Sequence, residues 1–274
     1  MYEGFKVVAV TPAGRKRYLE LLCKLTHYNK NLIDEHHLWL NTDNREDISF
    51  IKSLTASNTF FKLKENPQGR TNRFDNNSIC EFFPLACEKD TIYIRFDDDI
   101  VFIAPDAIEN LLKARLKYLK APLIFANIVN NAVCSHLWQR YGLIDTSKGV
   151  IGYGCMDGLG WGAPWFAVLL HNQFLEKGYQ YFSVPNDWVL MGKEKVSINC
   201  ICWFGKTLAD VGIPVDIDEE NWLSCELPKI LTENNIIIGN AIVSHFAFHT
   251  QRRTMDNTQI LEKYRQLSSH INPL

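Results

Sequence analysis

The chain has 274 residues, 46% hydrophobic and 22% charged, which excludes a disordered or collagen-like polymer and suffices for one large α/β domain. Lys plus Arg number 29 against 31 Asp plus Glu; the resulting net charge of -2 lacks the basic excess of a nucleic-acid binder. No apolar run approaches the roughly 18 residues of a membrane-spanning helix. The opening Met1-Tyr2-Glu3-Gly4-Phe5-Lys6 has neither the basic head nor the apolar stretch of a signal peptide, so a cytoplasmic protein is expected.

In chain order, Lys6–Thr11 is a short apolar run ended by Pro12-Ala13-Gly14, the pattern of a buried strand and a turn. Tyr18, Leu21, Leu22, Leu25 and Tyr28 then recur at helical spacing. Leu38–Asn41 predicts a second strand, Ile48, Ile51 and Leu54 a second helix, and Phe60–Leu63 a third strand. This βαβαβ beginning predicts a parallel sheet covered by helices. Residues 66–78 form a loop rich in Asn, Arg, Pro and Gly.

Thr91–Phe96 predicts a strand that runs into Asp97-Asp98-Asp99, and Ile100–Ile103 continues as a strand. Pro105 opens an amphipathic helix to about Lys120, followed by a strand at Leu123–Val129. Gly149 is followed by Gly152, Gly154, Gly158, Gly160 and Gly162, too many glycines for a regular element. Pro164–Lys177 predicts a helix stopped by Gly178. Ile198–Val211 and Glu219–Leu227 have helical spacing, Ile236–Val243 reads as a strand, and Met255–Leu267 as a last helix. The eight cysteines include no C-x-x-C pair and are expected as free buried thiols. Trp39, Trp138 and Trp203 sit in core-like patterns, whereas Trp161 and Trp165 flank Gly162-Ala163-Pro164 and are candidates for stacking on a sugar.

The three adjacent aspartates are the sharpest chemical feature. Strand alternation puts Asp97 and Asp99 on one face and Asp98 on the other. Two carboxylates on one face, at the C-terminal end of an apolar strand, suit a hard divalent cation. A solvated acidic turn before the next helix is the plainer alternative.

The stretch TIYIRFDDDIVFI resembles the D-x-D segment of the GT-A glycosyltransferases. That resemblance implies an α/β fold with a Rossmann-like nucleotide-binding sheet (residues 1–103) merged with an acceptor-binding half and C-terminal tail (104–274). It implies a nucleoside diphosphate sugar donor, with a UDP-sugar expected, and a divalent metal. In that reading Asp97 faces the donor and, with Asp99, the metal, and Asp98 is counted with the donor-binding residues. Thr11, Pro12, Ala13, Asn41 and Thr42 line the base and ribose pocket, and Arg73 helps hold the donor.

Two later segments resemble the same family. SINCICWFGKTLADVGIPVDIDEENWLS, residues 197–224, is similar to the region that supplies the catalytic base of inverting enzymes. Glu220 falls where the family has an Asp and Glu219 where it has a Glu, so Glu220 and then Glu219 are the candidate bases. Asp218 is the alternative helix N-cap, and Asp157 and Asp187 are further acidic candidates. In AIVSHFAFHTQRR, residues 241–253, His245 matches the place of a metal-completing histidine, with His249 as the alternative. An imidazole ligand makes Mn²⁺ the preferred ion, with Mg²⁺ possible. Arg252 and Arg253 are available for phosphate.

The expected activity is therefore metal-dependent glycosyl transfer, with inversion, to a glycan or glycoconjugate hydroxyl. A sugar nucleotidyltransferase is the first alternative and a non-catalytic carbohydrate-binding protein the second.

Overall fold

The computed structural model describes residues 1–68, 76–191, 194–214 and 217–271. Among the described residues nine strands form one mixed sheet: β1 (Lys6–Ala13), β2 (Glu35–Leu40), β3 (Phe61–Lys64), β4 (Thr91–Phe96), β5 (Ile100–Ile103), β6 (Ile124–Val129), β7 (Trp188–Leu190), β8 (Cys200–Phe204) and β9 (Asn235–His245). Their order across the sheet is β3-β2-β1-β4-β8-β6-β9-β5, with β7 paired to the other end of β9. The first four are mutually parallel, and β6 and β9 are parallel to each other. β8 runs antiparallel to both β4 and β6, so β1, β2, β4, β6 and β9 all point the same way. Their C-terminal ends share one edge of the sheet, where ligands gather in open α/β folds.

Every residue of β4, β5 and β6 is buried, which means both faces of the sheet are covered. The helices that cover it include Lys16–Tyr28, Arg45–Ser57, Ala107–Lys117, Ala132–Arg140, Pro164–Lys177 and Ile260–Ile271. Asn44 caps the second of these by accepting from the backbone N–H groups of Glu46 and Asp47, and Asn131 caps Ala132–Arg140 in the same way. Trp39, Trp138 and Trp203 are fully buried, and all eight cysteines are free.

Three expectations need correction. Residues 198–211, expected to be helical, divide into β8 and a short helix, Gly205–Val211. β8 is buried on both faces of the sheet, so its side chains are apolar throughout and show no two-residue alternation. The last helix is two, His249–Met255 and Ile260–Ile271, separated at residues 256–259. The helix expected from Pro105 begins at Ala107 and ends at Lys117.

Candidate metal centre and active-site cleft

The strand register assembles the site. β5 pairs with β9 so that Ile100 lies opposite His245, and the backbone N–H of Phe246 donates to the carbonyl of Asp99 at 2.9 Å. Asp97-Asp98-Asp99 makes the tight turn between β4 and β5, closed by Ile100 N–H donating to the Asp97 carbonyl at 3.1 Å. The last residue of β9, His245, is thereby brought beside the aspartates, about 150 residues away in sequence.

Asp97, Asp99 and His245 each offer a ligand atom, and these atoms lie within 4.8 Å of one another. His245 Nε2 is 3.4 Å from Asp99 Oδ1, a buried oxygen that accepts no hydrogen bond among the described residues. The second oxygen of Asp99 is held from the far side, at 3.1 Å from Arg15 Nη1 and 3.5 Å from Arg252 Nη2. Burial alone would raise the Asp99 carboxyl, but the charges of Arg15, His245 and Arg252 hold it well below the usual carboxylate range. Asp97 accepts from Arg95 Nη2 at 3.0 Å and from Asn199 Nδ2 at 2.9 Å. An orphaned carboxylate oxygen facing an imidazole nitrogen and a second carboxylate fits a divalent cation with mixed oxygen and nitrogen ligands.

Asp98 has a different part. Its carboxylate accepts from the backbone N–H groups of Gly14 and Arg15, at 3.2 and 2.9 Å, and from Nε and Nη2 of the Arg15 guanidinium. It staples the turn after β1 to the aspartate turn, and only 4% of it is exposed.

These residues face a cleft of about 580 Å³. Pro12, Gly14, Asn41 and Thr42 line one wall; Lys195, Asp218, Glu219 and Glu220 line a second; Met156, Trp161, Phe248 and His249 also border it. Thr11 and Ala13, expected in the donor pocket, are fully buried instead. The Thr11 hydroxyl hydrogen-bonds to His36 Nε2 at 2.9 Å, because strand alternation turns it inward while Pro12 faces out. Arg73 lies outside the described residues.

The two glutamates separate as neighbours on one helical turn must. Glu219 is buried and accepts from Arg95 Nη2 at 2.9 Å, while its Oε2 has no hydrogen-bond partner among the described residues. Burial, only partly offset by Arg95, pushes its carboxyl up to about 7. Glu220 is partly exposed, 3.5 Å from Lys195 Nζ, and accepts from Cys155 Sγ at 3.2 Å. Asp218 caps this turn through the N–H of Asn221. Asp157 accepts three backbone N–H groups, from Gly152, Leu159 and Gly160, and so braces the glycine-rich loop. Asp187 accepts from Tyr118 Oη and stands outside the cleft lining.

His249 is exposed against the Trp161 ring and is not in the metal cluster. Trp165 is half exposed away from the cleft. Sequence reasoning missed Arg95 and Asn199, the two groups that orient Asp97. Arg95 is a charged residue inside an otherwise apolar strand, and that was the available signal.

No protein-family model matches the chain, and no curated protein matches it. Solved structures do. A mycobacterial protein matches with a TM-score of 0.51 and 10% identity, over 99% of this chain and 76% of that one. Glucosyl-3-phosphoglycerate synthase from Mycobacterium tuberculosis, in complex with Mn²⁺, UDP and glucosyl-3-phosphoglycerate, matches with a TM-score of 0.49 and 10% identity, over 99% and 81% of the two chains. CMP:2-keto-3-deoxy-manno-octonic acid synthetase complexed with CTP matches with a TM-score of 0.49 and 13% identity, over 97% and 99%. At these identities the likeness is one of fold. The chain has an α/β fold built on a large mixed sheet, and the mycobacterial protein shares that fold. Among the described residues, no helix is long and apolar enough to cross a membrane.

Proposed function

We propose that the chain is a metal-dependent transferase that takes a sugar from a nucleoside diphosphate donor to a hydroxyl of a glycan or glycoconjugate, with inversion. The observation that carries this reading is the convergence of Asp97, Asp99 and His245 at the C-terminal edge of the sheet, open to a cleft bordered by Arg15 and Arg252. The three residues would hold the cation, and the imidazole nitrogen favours Mn²⁺ over Mg²⁺. When bound, the cation neutralises negative charge on the departing diphosphate.

The chain's own groups supply the rest. Pro12, Asn41 and Thr42 border the donor half, with Arg15 and Arg252 placed for the phosphates. Glu220 takes the proton of the acceptor hydroxyl as its oxygen bonds to the anomeric carbon and the bond to the diphosphate breaks. Its partial exposure and the nearby Trp161 and Met156 support that role, whereas Glu219 is committed to Arg95.

Sugar nucleotidyl transfer is the second reading. Arg15 favours it, since it faces the cleft directly after β1, where a triphosphate needs a cation. A panel of nucleotide sugars, and of nucleoside triphosphates with sugar phosphates, tested with Mn²⁺ separates the two. Release of nucleoside diphosphate supports glycosyl transfer, and release of pyrophosphate replaces it with the second reading. Sugar binding without turnover of any nucleotide would leave a carbohydrate-binding protein.

A further inference from the structure

Asn130 is fully buried and adopts a left-handed backbone, with φ at 61°. Few residues other than glycine accept that conformation, and asparagine is among those that do. It follows the last residue of β6, and the register Val129↔Ser244 sets it next to His245. Its main-chain carbonyl lies 3.3 Å from His245 Nδ1. A carbonyl oxygen only accepts, so the hydrogen bond requires a proton on Nδ1. Nε2, the atom that faces Asp99 Oδ1, is then the nitrogen left to ligate a cation.

The side chain of Asn130 secures the same geometry. Its amide donates to the carbonyl of Phe246 at 3.1 Å and to Gln251 Oε1 at 2.9 Å. Gln251 Oε1 also accepts the N–H of Phe248 at 3.2 Å, and the Phe248 ring packs on the His245 ring at 4.6 Å between centroids. The segment that follows His245 is thus tied down from the residue whose carbonyl orients the imidazole.

We infer that Asn130 is a positioning residue of the metal centre: its main-chain carbonyl fixes His245 in the tautomer that presents Nε2 as the ligand. The inference rests on the metal-centre reading above. Partners of this kind typically change metal affinity by about 10-fold to 100-fold when lost.

Two measurements test it. Long-range ¹H–¹⁵N spectra of the wild-type protein loaded with diamagnetic Zn²⁺ in place of Mn²⁺ should show His245 protonated on Nδ1 and ligating through Nε2. In parallel, Mn²⁺ affinity is measured by electron paramagnetic resonance in wild type, Asn130→Gly and Asn130→Val, with circular dichroism to check folding. Glycine keeps the left-handed backbone and its carbonyl but loses the side-chain ties, so it should weaken binding by less than valine, which resists that backbone and should weaken it by about 10-fold or more. A wild-type ring protonated on Nε2, or a folded valine variant with wild-type Mn²⁺ affinity, overturns the inference. Wild-type protein that binds no Mn²⁺ overturns the metal reading and, with it, the part given to Asn130.

Discussion

Asp98 and Arg15 are joined through both oxygens of the carboxylate and both the backbone and the guanidinium of the arginine. The middle aspartate of the three therefore fastens the turn after β1 to the turn after β4, and its neighbours are left to face the cleft. Asp98→Asn keeps the shape and removes the charge. Arg15 keeps 34% of its side chain in solvent, so the cost should fall below the about 3–5 kcal/mol of a fully buried pair, at roughly 1–3 kcal/mol. Urea unfolding of the metal-free protein reads this directly, and a variant as stable as wild type would show the staple to be dispensable.

Asp99→Ala should abolish Mn²⁺-dependent donor binding. Taken alone, three adjacent carboxylates suggest mutual repulsion, so that losing one would spare or even stabilise the metal-free protein. The surroundings reverse that expectation. Arg15, Arg252 and His245 all converge on Asp99, and its removal leaves their charge with less compensation. The variant should lose roughly 1–3 kcal/mol in denaturant melts while remaining folded. Unchanged Mn²⁺ binding by isothermal titration would remove Asp99 from the metal centre.

The two histidines near the C-terminus should behave differently. His245→Ala is expected to weaken Mn²⁺ by about 10-fold or more, with partial rescue at high metal concentration. His249, exposed against Trp161, should leave metal affinity within about 2-fold when changed to alanine and act, if at all, on the acceptor. The opposite ranking in a metal titration would exchange their assignments.

Acid should destabilise the fold through two buried histidines outside the metal cluster. Burial lowers both His36 and His171 to about 3. His36 is held between the hydroxyls of Thr11 and Thr26, and His171 between Tyr264 and the carbonyl of Phe246. Both rings are neutral when folded but take up protons near pH 6.5 when unfolded, so stability is full above about pH 6.5 and is lost as pH falls toward 3. A denaturation series across this window should show the slope, and His36→Gln should reduce it. A slope unchanged by that substitution would mean His36 charges without unfolding.

Much of this molecule is readable from its residues, for identifiable reasons. Runs such as Lys6–Thr11 and Thr91–Phe96 are short, apolar and bounded by turn or acidic residues, so their strands and the aspartate turn are legible. β8 was not, because burial on both faces erases alternation. The part of Asp98 was hidden because its partner, Arg15, is brought close only by the pairing of β1 with β4. Asn130 and Asn131 look like an ordinary turn in sequence; only the structure shows that one caps a helix and the other faces His245. Long-range pairing, rather than local propensity, decides each of these.

Glu219 and Glu220 offer the last test, since they are adjacent and differ in surroundings. Glu220→Gln should leave donor binding intact and slow the chemical step by roughly 10²-fold to 10⁴-fold, as expected for loss of a general base. Glu219→Gln acts on pH dependence. The folded carboxyl sits near 7, above the ordinary glutamate value, so the metal-free folded protein holds a proton there that the unfolded chain releases. This contribution to stability is present below about pH 4.5 and lost as pH rises through about 7. Glutamine, which cannot titrate, should flatten that part of the profile, and with Arg95 still paired to Asp97 the variant should fold. Single-turnover rates and a stability profile on both variants are the measurements. If Glu219→Gln rather than Glu220→Gln removes the chemical step, the base is the buried carboxyl and the acceptor reaches deeper than Trp161. If neither does, the reaction uses no carboxylate base on this turn.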